Sequence, residues 1–242
     1  MINSILASSS HVPALALACA VFTGIAAEKE STDSLTGEQI LERMATTYAT
    51  CKSYRDSGVV TNDFNPQHIE VKPFRTAFVR PDQFRFEYDD ATPEKPFIVW
   101  AKAGEVRTWW YIKQGVKRQR SLEEGIAGAT GVSGGAAHTI PTLHLPAQNA
   151  GRKLTTKKDM NRLPDEGLDN TPCFKLQGKF ADRPTTLWLE KATYLIRQIV
   201  EETELAKTTT VYRPEVDKDI PAKELEINAP ITRNARYDRP RR

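Results

Sequence analysis

Histidine, cysteine and methionine are scarce in this 242-residue chain, at four, three and three copies. His138 and His144 are not at ligand spacing with any nearby cysteine or acid, so no metal centre is expected and structural or solvent-facing roles remain for them. Charge of one sign is also lacking. The net charge of +3 is too small to indicate a nucleic-acid binder. The glycines between 128 and 135 are not followed by the Lys-Ser/Thr of a phosphate loop, and no carboxylate pair has the character of a glycosidase centre. No cofactor is expected. A membrane-length apolar run is missing too. Val12 to Ala27 is almost wholly apolar, but it has the length of a signal h-region and is short for a span.

The first 27 residues contain no Lys, Arg, Asp or Glu, and Gly24-Ile25-Ala26 or Ile25-Ala26-Ala27 offers small residues for cleavage. The reading is a signal peptide over 1–27, lacking the usual positive n-region, and export to the periplasm or beyond. Ala16-Leu17-Ala18 before Cys19 matches a lipoprotein box poorly, so lipid anchoring at Cys19 is not expected. Residues 28–230 read as one domain, since no internal repeat or boundary interrupts them. Residues 231–242 form a basic tail containing Arg236, Arg239, Arg241 and Arg242, either solvated and frayed or in contact with anionic lipid. Cys51 and Cys173 remain after signal removal. Two cysteines in an exported chain favour a disulfide, with two buried thiols as the alternative.

A hydrophobic content of 39% and a mean hydropathy of −0.50 suit a soluble protein with a sizeable core. Leu35-Thr36-Gly37-Glu38-Gln39-Ile40 opens a helix, with Thr36 as N-cap and Gln39 completing a capping box. Ile40, Leu41, Met44 and Tyr48 make its apolar stripe. Strands follow. Within Arg80 to Tyr88 the period of two puts Phe84, Phe86 and Tyr88 on one face and Gln83, Arg85 and Glu87 on the other. Phe97–Lys102 and Val106–Ile112 form a hairpin through Ala103-Gly104-Glu105. After a short helix capped by Ser121, the glycine-rich stretch 128–135 and a weakly helical segment, strands resume from Arg152 to Thr208–Arg213 and close with Leu225–Ile227. No long crossover helix separates them, so the sheet should be antiparallel and sequentially connected.

Gly131-Val132-Ser133-Gly134-Gly135 fits the G-x-S-x-G nucleophile elbow on paper. The segment before it is helical, however, and no acid and histidine follow in the required order. Trp109-Trp110-Tyr111 reads either as a stacking platform or as ordinary two-sided packing, with Trp109 and Tyr111 on one face and Trp110 and Val106 on the other. No catalytic centre is expected.

Arg80-Pro81 before Phe84-Arg85-Phe86, the hairpin Val99 to Tyr111, and Leu225-Glu226-Ile227-Asn228-Ala229-Pro230 together resemble the outer-membrane lipoprotein-sorting family of LolA/LolB type; Leu187-Trp188-Leu189-Glu190-Lys191 is a weaker match. The resemblance spans roughly Ser34 to Pro230. It implies an α+β fold: an incomplete antiparallel β-barrel of about 10–11 strands, with an N-terminal helix and a helical lid over an apolar cavity. It also implies a carrier that shields the acyl chains of a lipid or lipoprotein. Phe84, Phe86, Tyr88, Trp109, Tyr111, Leu187 and Leu189 would line the cavity. The lid would run from Gly128 to Leu145 with the short helix before it, using Leu122, Ile126, Gly131, Gly134, Gly135 and Leu143, and Arg80 would help to hold it closed. The expected state is monomeric, without nucleic acid. The alternative is an envelope sensor or scaffold that uses the same fold to bind a protein partner.

Overall fold

A computed structural model describes residues 34–65, 67–89, 96–113, 115–145, 154, 159–180 and 183–228. The expected signal peptide, Cys19, the basic tail and most of Arg152–Thr156 lie outside these residues. Helix α1, Gly37–Thr50, begins as its sequence dictates. Thr36 Oγ1 accepts from the Gln39 amide at 3.2 Å, and Gln39 Oε1 accepts from the Thr36 amide at 2.8 Å.

Six strands follow: β1 (Ser53–Asn65), β2 (His68–Val79), β3 (Gln83–Asp89), β4 (Pro96–Lys102), β5 (Glu105–Trp110) and β6 (Val116–Gln119). Helices α2 (Leu122–Thr130) and α3 (Ala136–Thr139) and a 3-10 turn at Pro141–His144 come next. The second set of strands is β7 (Asn161–Leu168), β8 (Thr171–Phe180), β9 (Arg183–Glu190), β10 (Ile196–Glu202), β11 (Lys207–Tyr212) and the two-residue β12 (Glu215–Val216), before a 3-10 turn at Ala222–Leu225.

Among the described residues these make one antiparallel sheet in the order β6-β5-β4-β3-β2-β1-β11-β10-β9-β8-β7, with β12 also paired to β1. The sheet is open, an incomplete barrel. Two meanders are joined at their inner strands by the β1–β11 ladder, Gly58 opposite Tyr212 through Asp63 opposite Lys207. That long-range pairing sends β6 and β7 to opposite edges. Between them in sequence, α2, α3 and the Pro141–His144 turn lie on the concave face of the sheet. Both edges are poor templates for further strands. β6 is short, mostly exposed and carries Lys117 and Arg118, while β7 is interrupted by Pro164 and an irregularity between Leu163 and Glu166.

Four sequence expectations need correction. Among the described residues the strands number twelve where about 10–11 were expected, because β6 and β12 have no apolar alternation to reveal them. The strand expected over Val106–Ile112 stops at Trp110, and Tyr111–Lys113 is a 3-10 turn. Leu225–Ile227 is not a closing strand. Instead Ala222–Leu225 turns across the convex face, where Trp100 Nε1 donates to the Leu225 carbonyl at 2.7 Å. The Cys51–Cys173 disulfide is absent, and both thiols are free and buried. Cys51 belongs to the main core at the end of α1, whereas Cys173 sits with Trp188 and Val200 on the other side of the sheet.

Candidate functional site

Strand register decides which side chains face the helices. One row across the sheet runs Val106, Ala101, Phe84, Phe78, Tyr54. The next runs Thr108, Val99, Phe86, Thr76, Asp56, and a third Trp110, Phe97, Tyr88, Phe74, Gly58, Tyr212. The other meander continues the surface through Ile199, Leu187 and Leu176, and through Ile196, Leu189 and Phe174. This is one apolar wall reaching across both meanders.

Of the seven residues expected to line a cavity, Phe84, Phe86, Tyr88, Leu187 and Leu189 lie on this wall. Trp109 does not. It pairs with Ile98 and Val116 on the convex side, and Trp110 takes the concave position. Tyr111 is half-buried in the turn after β5, edge-on to the Trp110 ring at 6.5 Å. The reason is parity. Alternation defines two sets of residues, and only pairing with β4 tells which set faces inward.

The wall is not an empty hollow. Phe86, Leu187 and Leu189 are 0% exposed because helices sink into the trough. α1 covers the second meander and is tied to it by polar contacts. Arg43 Nη1 donates to Tyr194 Oη at 2.9 Å, the Ile196 amide to Tyr48 Oη at 3.0 Å, and Arg162 Nη1 to the Leu35 carbonyl at 2.9 Å. The lid covers the first meander differently. Its sequence from Gly125 to Ala137 is largely Gly and Ala, and its large buried anchors are Ile126, Ile140 and Leu143. Leu122 is half-buried, Gly131 marks the end of α2, and the chain then turns through Gly134 and Gly135 at φ of 62° and 89°. Gly134 also lies so close to Val60 that a Cβ would stand 2.9 Å from Val60 Cγ1.

The lid's last turn meets the end of α1 at the Tyr48 carbonyl. Arg80 Nη2 (3.1 Å), His144 Nδ1 (3.2 Å) and Cys51 Sγ (3.4 Å) all donate to it, while Arg80 Nε reaches the Cys51 carbonyl at 2.8 Å. Orphaned carbonyls and the negative end of a helix dipole attract such donors. Arg80 thus holds the helix on which the lid docks, and His144 is the lid's own contact. The His144 ring packs on Tyr54 at 4.6 Å and Phe78 at 4.8 Å. Burial pushes its pKa down from 6.5 to about 3, leaving it neutral with Nε2 unpartnered. Nothing in the sequence around His144 signals this role beyond its place after an apolar Ile-Pro-Thr-Leu run.

A second polar group lies within the wall. Tyr54 Oη donates to Asp56 Oδ2 at 2.6 Å beneath the apolar cover, and burial raises Asp56 from 3.8 to about 6. Ser133 is buried. Its hydroxyl donates to the Thr130 carbonyl at 3.3 Å and accepts from the Ala137 amide at 3.1 Å, joining α2 to α3. No strand precedes it, so the nucleophile elbow is not formed. Clefts remain at the lid's margins. One of about 510 Å³ is lined by Phe78, Arg80, Val106, Leu122, His144 and Leu145, and one of about 180 Å³ by Phe97, Trp110 and Gly128 among others.

No family model matches the sequence, and no curated protein does. Solved structures to which the chain is similar include a LolA superfamily protein from Nitrosomonas europaea, at 12% identity and a TM-score of 0.36, covering 80% of this chain and 98% of that one. Lipoprotein LppX of Mycobacterium tuberculosis is 9% identical with a TM-score of 0.46, over 76% of this chain and 96% of its own. MucB of Pseudomonas aeruginosa, solved in complex with MucA, is 11% identical with a TM-score of 0.46; the alignment covers 78% of this chain but 60% of that one. No helix among the described residues is long and apolar enough to cross a membrane.

Proposed function

We propose that this protein is an exported, non-catalytic carrier that shields acyl chains of a lipid or lipoprotein against its concave apolar wall once the lid is displaced. The observation that supports the reading is the mismatch between wall and cover. Aromatic and aliphatic side chains line the sheet, while the segment over the first meander is Gly/Ala-rich and anchored by Ile126, Ile140 and Leu143. At about 1.5–3 kcal/mol per large buried side chain, three anchors contribute roughly 5–9 kcal/mol. A 16-carbon chain on the same wall gains up to about 12 kcal/mol at ~0.8 kcal/mol per methylene. The two occupants are closely enough matched for exchange, which a carrier requires for both uptake and release. The margin cleft beside Phe78 and Leu122 offers an apolar starting point with Arg80 at its rim.

The test is native mass spectrometry of gently purified protein, followed by titration with a fluorescent fatty-acyl probe. Co-purified lipid and saturable probe binding are expected. Protein that carries no lipid and ignores the probe overturns the reading. A stoichiometric envelope protein retained after lipid stripping would favour the scaffold alternative instead.

A further inference from the structure

We propose that the convex face carries a second binding site, for a phosphate-class oxyanion, centred on Arg75, Ser57 and Arg213. It lies on the side of the sheet away from the lid and does not depend on the acyl-chain reading.

The site follows from register. Ser57 on β1 is paired with Arg75 on β2, and on the other side the Arg213 amide donates to the Ser57 carbonyl at 3.2 Å, one step beyond the Gly58–Tyr212 pair. Phe74 and Tyr212 face the core, so their neighbours Arg75 and Arg213 face outward with Ser57. Adjacent strands lie about 4.8 Å apart, which places the two arginine backbones roughly 10 Å apart with a small hydroxyl residue between them. Two long guanidinium side chains at that separation can close over one oxyanion, with the serine hydroxyl as a third donor.

These side chains line a groove of about 540 Å³ walled by the Ala222–Leu225 turn. The turn is fixed to the sheet by the Trp100–Leu225 bond and by Arg55, which reaches Glu224 at 3.6 Å. Charge in the groove is unevenly matched. Arg55 is also bound to Glu215 at 2.8 Å, and Arg85 to Glu87 at 2.6 Å. Arg75, Arg213 and Lys223 have no carboxylate partner among the described residues, although Asp89 feels the charge of Arg75 through space. Asp56 contributes to the floor, but its carboxylate turns to the concave side and is bound by Tyr54. Five cations therefore face three carboxylates, an excess of two. A phosphate monoester carries about −1.5 to −2 at neutral pH, which matches that excess. Cations set side by side without a counter-ion repel, and a bound anion relieves that repulsion.

A lipid headgroup and a soluble phosphate compound share this chemistry, and two probes separate them. Inorganic phosphate is titrated into the full-length ¹⁵N-labelled protein while amide shifts are followed. Vesicles of 3:1 phosphatidylcholine to phosphatidylglycerol are then compared with pure phosphatidylcholine in co-sedimentation. Shifts should cluster at Ser57, Arg75 and Arg213. The double variant Arg75→Gln/Arg213→Gln should weaken phosphate binding roughly tenfold or more, with an unchanged melting temperature, while Arg118→Gln, an exposed charge on β6, should leave it within about twofold. Anionic vesicle binding lost in the double variant assigns a headgroup; phosphate binding without vesicle binding assigns a soluble compound. Shifts elsewhere, or equal losses in the double variant and Arg118→Gln, overturn the proposal.

Discussion

His144 Nδ1 lies 3.2 Å from the Tyr48 carbonyl, which ties the last turn of the lid to the last turn of the N-terminal helix. The contact joins residues 96 positions apart and is shared with Arg80, which approaches the same oxygen from the corner after β2. The segment over the first meander and α1 are therefore joined at one carbonyl oxygen. Several consequences can be measured.

Replacing His144 with Ala removes a buried ring and a donor together. The expected loss is about 2–4 kcal/mol in chemical denaturation. Hydrogen exchange should rise through residues 122–145 more than in the β8–β10 strands. Uniform exchange across the chain would show that the histidine supports the whole fold and not the lid.

Arg80→Lys keeps the charge but cannot reach two carbonyls as a fork. A cost of about 1–2 kcal/mol is expected from the loss of one charge-assisted bond. Faster release of a bound acyl probe in stopped flow should accompany it. Unchanged stability and release would remove Arg80 from the account of closure.

The pH dependence has two opposed parts. Below 6.5 the unfolded chain protonates His144 while the folded chain resists until about 3, so stability falls with falling pH at up to about 1.4 kcal/mol per unit. Asp56 does the opposite. Its folded carboxyl takes up a proton near pH 6 while the unfolded one waits until 3.8, so stability rises as pH falls through that window. Between about 6 and 3.8 the two should largely cancel. Relative to wild type, Asp56→Asn should show a steeper loss of stability on acidification over this range, and His144→Phe a shallower one. Parallel curves for all three proteins would contradict both assignments.

Ile126→Ala weakens the lid without altering the wall. If closure competes with ligand, a lid destabilised by about 2 kcal/mol should bind a fatty-acyl probe up to roughly 30-fold more tightly in direct titration. Weaker binding would mean that Ile126 belongs to the ligand's own surface.

Of the four tryptophans, Trp110 faces the concave side, whereas Trp100, Trp109 and Trp188 face the other. A brominated fatty acid should therefore quench wild-type fluorescence, lose most of that effect in Trp110→Phe, and keep it in Trp109→Phe. Quenching that survives in Trp110→Phe would place the acyl chain elsewhere.

Much of the local structure was legible from residues alone. Thr36 and Gln39 specify a helix start, Phe84, Phe86 and Tyr88 a one-sided strand, and Ala103-Gly104 a tight hairpin, because each depends on neighbours a few positions away. The helical interruption between two runs of strands was visible too, as a Gly-rich break in the apolar alternation. Parity was not. Alternation groups Trp110 with Val106 against Trp109, but which group faces the core depends on pairing with β4. The fates of Cys51, His144 and Arg75 depend on still longer-range pairing. β1 meeting β11 sends the sheet's edges apart, draws the lid across the concave side and brings Arg213 beside Ser57. Short-range sterics and periodicity act within a few residues and are written in order along the chain. The meeting of distant strands is a choice among many pairings of similar local quality, decided only when the whole core packs.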